Sequence, residues 1–322
     1  MVISISPHGS DKKFNHIATL TLDHSRGKID TPNRVVDKHD LNAKNAIGSE
    51  IPLTRRSKTF IVQEIVEPEK LDFILNRNGY LKEMINRIRE ITKRLDQESC
   101  IFLYPSLTAD SEKFLSKISR KNDYIKFFCD VAKYLELESV VLQPIGSLEN
   151  TYEVVKKQDL QLIPILGLDA KTEIITNQFE YCRTVGAQDI PIIGFKFVTY
   201  PNANKGYDLV IPKLDELHDD GQATMMVDIP RSTSSVSAHH YAPFFMTDIM
   251  AGRYYGGGGN SDEDEGEKER KIKLFCRKDL AVPEIESSRS VKTKFDIDSE
   301  IKVFPSFLLW DRKMVNIITF NP

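Results

Sequence analysis

The stretch QLIPILGLDAKTEIITNQFEYCRTVGAQDIPIIGFKF, residues 161–197, decides the fold of this chain. The segments 161–166 and 190–197 have continuously apolar cores, at 162–166 and 190–195, and they flank an amphipathic segment at 173–185 that Gly186 closes. A run that is apolar throughout is typical of a parallel strand covered on both faces, and glycine commonly follows the last turn of a helix. The stretch therefore predicts a strand, a helix and a second strand parallel to the first.

The same alternation of strands and helices runs from about residue 58 to about residue 255. Further strands are expected at 58–66, 100–104, 139–142 and 224–229, with helices at 68–91 (one or two), 114–118, 124–135, 151–157 and 207–217. No Gly-x-Gly-x-x-Gly follows the first strand and no GxxxxGK[ST] occurs, so nucleotide-binding open sheets lack their motifs. The α/β pattern favours a (β/α)8 TIM-like barrel, in which functional side chains follow the carboxyl ends of the strands.

Segments outside this region predict additions to the barrel. Residues 18–32, ATLTLDHSRGKIDTP, alternate apolar and polar side chains around Gly27, which predicts an N-terminal antiparallel hairpin. Residues 271–277 and 300–309 predict a small C-terminal β-rich appendage. The expected domains are a hairpin and lead-in at 1–57, a barrel core at 58–255, a flexible glycine-rich and acidic loop at 256–270, and C-terminal strands at 271–322 that complete or flank the barrel.

Composition excludes several classes of protein. The 322 residues are 40% hydrophobic and 28% charged with a net charge of -3, so the chain has no overall attraction to polyanions. The four cysteines lack the spacing of a zinc site and are expected to be reduced and mostly buried. No apolar run approaches a membrane span and the polar start lacks a signal-peptide core, which predicts a cytoplasmic protein without a membrane partner.

The hairpin and the central stretch resemble the tRNA-guanine transglycosylases, the queuine and archaeosine tRNA-ribosyltransferases. The hairpin ends in Gly-x-Ile-Asp-Thr-Pro at residues 27–32, and the strands around residues 163–168 and 192–195 are similar to the two that line the base pocket of that family. The resemblance covers roughly residues 14–255, and only the hairpin motif is specific. It implies a barrel that binds or exchanges a purine or deazapurine base, such as 7-deazaguanine, in tRNA or DNA.

The resemblance also implies the site. Base exchange needs a carboxylate nucleophile that attacks the ribose C1′ and a second carboxylate that transfers a proton as guanine leaves. Asp248 matches the nucleophile, while Asp228 and Asp110 are the candidates for proton transfer, because no aspartate aligns with the second position. The family's zinc motif and its Asp-Ser-Gly-Gly turn are absent, so we expect no metal and no other cofactor.

Further residues of the expected site bind the substrate. Gly167 and Gly194 match the glycines of the base pocket, and Ser106 is retained from the missing turn. Gln143 stands where the family has the aspartate that reads the guanine edge, and an amide changes the pattern of donors and acceptors there. The basic residues expected to contact nucleic acid are Arg55, Arg56, Lys58 and Arg253.

Simpler interpretations of these residues stay open. Asp248 is equally explained as a strand-end aspartate bound by backbone amides, and Asp228 as the partner of Arg231 in an ion pair. Basic clusters also occur on solvated faces that bind nothing. Two other functions are consistent with the sequence: a non-catalytic barrel that binds nucleic acid or a partner protein, and a TIM-barrel enzyme that uses His239, Asp228 and a metal on a small metabolite. A homodimer is compatible with each.

Overall fold

The computed structural model describes residues 3–10, 18–31, 33–38, 58–95, 97–198, 204–230, 248–253, 272–273 and 284–285. These residues form a mixed α/β structure with parallel strands, as the apolar runs predict. The strands are β1 Ser4–Ser10, β2 Ala18–His24, β3 Gly27–Asp30, β4 Asn33–Asp37, β5 Thr59–Val66, β6 Cys100–Leu107, β7 Ser139–Leu142, β8 Gln161–Gly167, β9 Ile192–Lys196, β10 Ala223–Pro230, β11 Ile249–Arg253, β12 Ile272–Lys273 and β13 Glu284–Ile285.

Eight α-helices lie in the described ranges, most of them between strands of the parallel sheet. They are α1 Pro68–Asn76, α2 Tyr80–Thr92, α3 Ala109–Lys117, α4 Lys121–Tyr134, α5 Leu148–Lys156, α6 Thr172–Val185, α7 Asn204–Val210 and α8 Leu214–Asp219. None of the helices in the described ranges has both the length and the apolar character needed to cross a membrane.

The largest sheet has eight strands in the order β6-β5-β4-β11-β10-β9-β8-β7, and its paired neighbours run parallel. Strands that follow one another along the chain are therefore neighbours in space, and β11 lies beside β4. The two strands at the ends of this order, β6 and β7, also contact each other. Because all strands point the same way, their carboxyl ends lie along one edge.

Helices cover one face of this sheet. Alternate strand residues such as Phe60, Leu103 and Phe195 are buried there against helix residues that include Ile88 and Phe128. The helices present apolar residues three or four positions apart, and this spacing places those residues on the side that faces the sheet. We call the opposite side of the sheet its inner face.

A second apolar cluster fills the inner face and joins it to the N-terminal strands. The strands β1, β2 and β3 form an antiparallel sheet in which Leu22 lies opposite Ile29, so the predicted hairpin is confirmed. These two side chains are buried in the same cluster as Phe102 and Met225 of the large sheet. The hairpin thus packs against the inner face.

Specific hydrogen bonds attach the N-terminal strands to the amino ends of the large sheet. Gln161, the first residue of β8, accepts from the backbone N–H of Ile3 at 2.7 Å and donates to the carbonyl of Ile3 at 3.2 Å. The backbone N–H of Ser25 donates to Glu138 just before β7, at 2.6 Å. The three-stranded sheet therefore covers the amino-terminal end of the inner face.

Several boundaries differ from the sequence-based expectations. The strands β1 and β4 were not expected, and β4 extends the large sheet into the segment assigned to the lead-in. The single helix expected at 207–217 is divided into α7, a 3-10 turn at Ile211–Lys213 and α8, because Pro212 supplies no N–H for an α-helical bond. The acidic loop at 256–270 and the strand expected at 300–309 lie outside the described residues.

Three of the four cysteines are confirmed as buried free thiols: Cys100, Cys129 and Cys182. Burial raises the pKa of Cys129 and of Cys182 to about 12, so both thiols are protonated at neutral pH. Cys276 lies outside the described residues. These thiols are packing residues, and their protonation makes them poor nucleophiles.

Candidate functional site

The inner face changes from apolar to polar at the carboxyl ends of its strands. Along β6, Phe102 belongs to the inner apolar cluster, and the inward position two residues on is Tyr104, with Ser106 beyond it. The same change occurs on β5, where Ile61 belongs to the inner apolar cluster and Gln63 occupies the next inward position. We call the resulting set the polar layer, and its members are Asp37, Gln63, Tyr104, Ser106, Gln143, Gly167, Lys196 and Asp228.

Asp228 lies at the centre of the polar layer in a strained backbone conformation. Its φ of +60° is in the left-handed region, which is uncommon for a residue with a side chain. The pairing of β10 with β11 shifts register between Met226 and Ile229, as in a β-bulge. Val227 already faces inward with the inner cluster, and the bulge turns Asp228 to the same side. Bulges that redirect a side chain in this way are enriched beside active sites.

Two hydrogen bonds hold the Asp228 carboxylate. The side-chain N–H of Gln63 donates to its Oδ1 at 2.7 Å, and the Tyr104 hydroxyl donates to its Oδ2 at 3.1 Å. Asp228 is only 6% exposed, and burial of a charge is tolerated where such donors stabilise it. Burial, and the neighbouring Asp228 carboxylate, raise the pKa of Tyr104 well above its usual value, so its phenol remains a donor.

Gln143 follows β7 and bridges two strands at this edge. Its Oε1 accepts from the backbone N–H of Leu107 at 3.2 Å, at the end of β6. Because the amide oxygen has this partner, the amide NH2 is the part of Gln143 that is suited to a ligand. Ser106 is buried nearby, on the same strand as Tyr104.

Lys196 supplies a cation in the polar layer. Lys196 is the last residue of β9, in register with Gly167 of β8 and Val227 of β10. On the same strand, Ile193 and Phe195 pack on the helix-covered face. Alternation therefore turns Lys196 to the inner face, where it is half-buried. Among the described residues, no hydrogen bond or ion pair engages its ammonium group. Lys196 thus lies one strand from Asp228, and no residue in the described ranges forms an ion pair with it.

The two glycines predicted for the pocket lie on this same face and differ in their surroundings. A Cβ on Gly194 would come within 2.2 Å of Ile165 Cδ1, so this glycine permits close packing of β8 and β9. A Cβ on Gly167 would meet only the Asp169 carboxylate, at 3.2 Å. Gly167 therefore leaves space beside Lys196, and Asp169 is an exposed acid at the rim of that space.

Asp248 lies at the opposite, amino-terminal end of the sheet. Its Oδ2 accepts from the backbone N–H of Thr224 at 2.7 Å and from the Thr224 hydroxyl at 2.8 Å, and lies 3.1 Å from His218 Nε2. Asp248 is 6% exposed and directly precedes β11. Asp228 is four residues beyond Thr224 on β10, so about 13 Å of strand separates Asp228 from the residue that binds Asp248. The predicted nucleophilic role of Asp248 stays a prediction, and the geometry is that of a structural carboxylate.

The other predicted residues are dispersed. Asp110 is exposed in the first turn of α3, and Lys58 precedes β5 at the amino-terminal edge, 3.8 Å from Glu98. Arg253 ends β11 at the same edge as Asp228, and only its backbone is described. Arg55 and Arg56 lie outside the described residues, as do Arg231 and His239. Of the predicted set, the structure brings together Asp228, Gln143, Ser106, Gly167 and Gly194.

Sequence reasoning missed Gln63, Tyr104 and Lys196. Each is a polar residue at an inward position towards the carboxyl end of its strand, and this signal was available in the period-two alternation. Functional side chains were expected in the loops that follow the strands, beyond these three positions. The left-handed conformation of Asp228 had no signal in the sequence, since aspartate adopts it only where the surrounding structure requires it.

Within the described ranges, no group of three or more His, Cys, Asp or Glu side chains is arranged to hold a metal ion. No protein-family model matches the sequence, and no curated protein matches it. The chemistry of the polar layer therefore rests on its own geometry: two carboxylates, of which that of Asp228 is on a strained backbone, one ammonium group, two amides and two hydroxyls.

Proposed function

We propose that the eight parallel strands close into a (β/α)8 barrel whose lumen is the inner face. In a flat sheet, three strand spacings would separate β10 from β5 by about 14 Å. Asp228 on β10 is nevertheless bonded to Gln63 on β5 at 2.7 Å and to Tyr104 on β6 at 3.1 Å. Curvature that brings these side chains together, with β6 against β7, supports closure.

The lumen then has an apolar half and a polar half. The hairpin covers the amino-terminal end, and the polar layer opens at the carboxyl-terminal end, where barrel enzymes carry their active sites. A pocket that combines apolar walls with a few convergent polar groups is typical of a site for a small planar ligand. This division supports a ligand bound above Asp228, with Gln143 and Lys196 at its sides.

We infer that the ligand is a purine or deazapurine base, and that the protein binds or exchanges it in tRNA or DNA by transfer of the glycosyl group. The single observation that carries this proposal is Asp228, a buried carboxylate held in a strained conformation by two donors at the carboxyl edge. Strain of this kind persists where the surrounding structure fixes a functional side chain. The resemblance of the hairpin to the transglycosylases agrees with it.

In this proposal Asp228 is the nucleophile. One carboxylate oxygen attacks the ribose C1′, the bond from C1′ to the base nitrogen breaks, and the ribose is held as a covalent ester while the base leaves. A second base then attacks C1′ and releases the carboxylate. Gln63 and Tyr104 fix the orientation of the carboxylate, and the amide NH2 of Gln143 is placed to donate to an acceptor on the base.

Exchange of labelled guanine into tRNA and into duplex DNA tests the proposal, with Asp228→Asn as the variant. We expect exchange into one of the polymers, and its loss in Asp228→Asn by at least about 10³-fold, since the amide is not a nucleophile. Asp110→Asn is the matched control, because Asp110 is an exposed acid on α3, and it should retain full exchange.

Other results would replace the proposal. Binding of nucleic acid without exchange by the unmodified protein would indicate a non-catalytic binding barrel. If the unmodified protein shows neither binding of nucleic acid nor exchange, the remaining interpretation is an enzyme that acts on a small metabolite. Exchange that survives Asp228→Asn would remove Asp228 from the role of nucleophile.

A further inference from the structure

The polar layer contains one strained carboxylate, while base exchange requires a second group that moves a proton. As the bond between C1′ and the base breaks, the electron pair goes to the base nitrogen, and protonation of the base makes it a better leaving group. Asp110, one sequence-based candidate for this role, is exposed on α3 rather than in the layer. The layer offers two other charged side chains for this role, Asp37 on β4 and Lys196 on β9, and of these two strands β9 is the direct neighbour of β10.

Lys196 has the position for this role. It lies on β9, next to β10, and is in register with Val227, the residue that precedes Asp228. The donors bound to Asp228 come from β5 and β6, so Lys196 approaches the carboxylate region from a different direction. A base seated above Asp228 and beside Gly167 would lie within reach of the ammonium group.

Lys196 also has the right chemical character. Two acids lie on the strands beside it: Asp228 on β10, and Asp169 at the rim above Gly167, which is in register with Lys196 on β8. Lysines among carboxylates normally form ion pairs, yet no described residue pairs with Lys196. Its ammonium group carries three N–H donors, which leaves it available to a ligand.

We propose that Lys196 is the proton donor and acceptor of the exchange, and this proposal rests on the proposed function. When Asp228 attacks C1′, the Lys196 ammonium gives one proton to the nitrogen of the departing base, which leaves neutral, and Lys196 becomes an amine. The amine then takes a proton from the incoming purine or deazapurine base as that base attacks C1′ and Asp228 is released. Each cycle thus restores both side chains.

Rescue by an added amine tests this role. Lys196→Ala should lose guanine exchange by about 10²–10⁴-fold, the usual contribution of a general acid, while its binding of guanine, measured by calorimetry, changes by less than about threefold. Methylammonium or ethylammonium chloride should restore exchange in proportion to its concentration, because the shortened side chain leaves space for a primary amine. Potassium chloride at equal ionic strength is the control and should restore nothing.

Two further variants separate proton transfer from charge and from folding. Lys196→Arg keeps the positive charge but not a transferable proton, since a guanidinium group stays protonated, and it should remain inactive. Lys196→Met keeps the aliphatic stem, so its thermal unfolding shows whether the lysine is needed for folding. Asp110→Asn, on the exposed side of α3, should remain active.

Results that would exclude Lys196 from proton transfer differ from results that would exclude base exchange itself. Full activity of Lys196→Arg would show that only the charge matters, and unchanged activity of Lys196→Ala, or no response to amines, would exclude the lysine from proton transfer. In those cases the nucleophilic role of Asp228 stands. Absence of exchange in the unmodified protein would overturn both proposals together.

Discussion

The two ends of the parallel sheet carry aspartates of equal burial in opposite settings. Asp228 and Asp248 are each 6% exposed. Asp248, at the amino-terminal end, accepts two hydrogen bonds from Thr224 and lies against His218. Asp228, at the carboxyl-terminal end, has a left-handed backbone and accepts from side chains of two distant strands.

This difference separates stability from chemistry within one sheet. At the amino-terminal end, hydrogen bonds run between neighbouring strands and between the hairpin and the strand ends, so each of them fixes the backbone. At the carboxyl-terminal end, the bonds to Asp228 come from long side chains, and Lys196 has no ionic partner among the described residues. Burial of a carboxylate alone therefore does not identify a functional residue, whereas strain combined with position supports the role proposed for Asp228.

The largest expected effect on stability comes from Asp248. Asp248→Ala leaves the buried N–H and hydroxyl of Thr224 without their acceptor and should lower the free energy of unfolding by about 4 kcal/mol. Thr224→Val removes only the hydroxyl part of the network and should cost less. Chemical denaturation of both variants checks the order, and a loss under about 1 kcal/mol for Asp248→Ala would contradict a structural role.

The next effect concerns the attachment of the hairpin. Gln161→Leu removes the two bonds to Ile3 and one to the carbonyl of Gln188, and should cost about 2 kcal/mol. Hydrogen exchange should accelerate in β1 most of all. Gln222→Leu is the control, because Gln222 is equally buried and bonds to Cys182 and Ile190 instead. Equal acceleration in β1 for both variants would show that Gln161 has no specific role there.

Asp228 should respond in the opposite way to Asp248. Asn has the shape of Asp, tolerates a left-handed φ and removes a buried charge, so Asp228→Asn should change the free energy of unfolding by less than about 1 kcal/mol. Thermal and chemical denaturation measure this. A loss comparable to that of Asp248→Ala would place Asp228 among the structural residues.

The smallest effect is the pH dependence of the hairpin end. Burial lowers the pKa of His24 from 6.5, so near that pH the unfolded chain binds more protons there than the folded protein does. Stability that is present above pH 6.5 should therefore decrease as the pH falls through the lowered pKa. His24→Gln should reduce the loss of stability between pH 7 and pH 5, measured by chemical denaturation at both pH values, and an unchanged loss would contradict this role of His24.

The parallel strands were predictable because a strand buried on both faces has to be apolar throughout. The run at 139–142 predicts β7 with its bounds unchanged, and the hairpin follows from its alternation around Gly27. The strand β1 was missed because its sequence SISPHGS contains proline and glycine, which are depleted in strands, whereas β4 is short and pairs with β11, which lies far along the chain.

The candidate site was predictable only in part. Gln143 and Gly167 follow apolar runs, so their place at the carboxyl edge could be inferred. The separation of Asp248 from Asp228 depends on where β11 begins relative to β10, and strand boundaries are the weakest inference from sequence. The contact of Gln63 with Asp228 joins residues 165 positions apart, and no local pattern encodes it.

The most direct test of the division between the two ends measures guanine exchange and the free energy of unfolding together, on Asp228→Asn and Asp248→Asn. We predict that Asp228→Asn loses exchange and keeps its stability, whereas Asp248→Asn loses stability and, at temperatures where it is folded, keeps exchange. The reverse result, an active Asp228→Asn and a stable but inactive Asp248→Asn, would contradict the assignment of the functional site to the carboxyl edge.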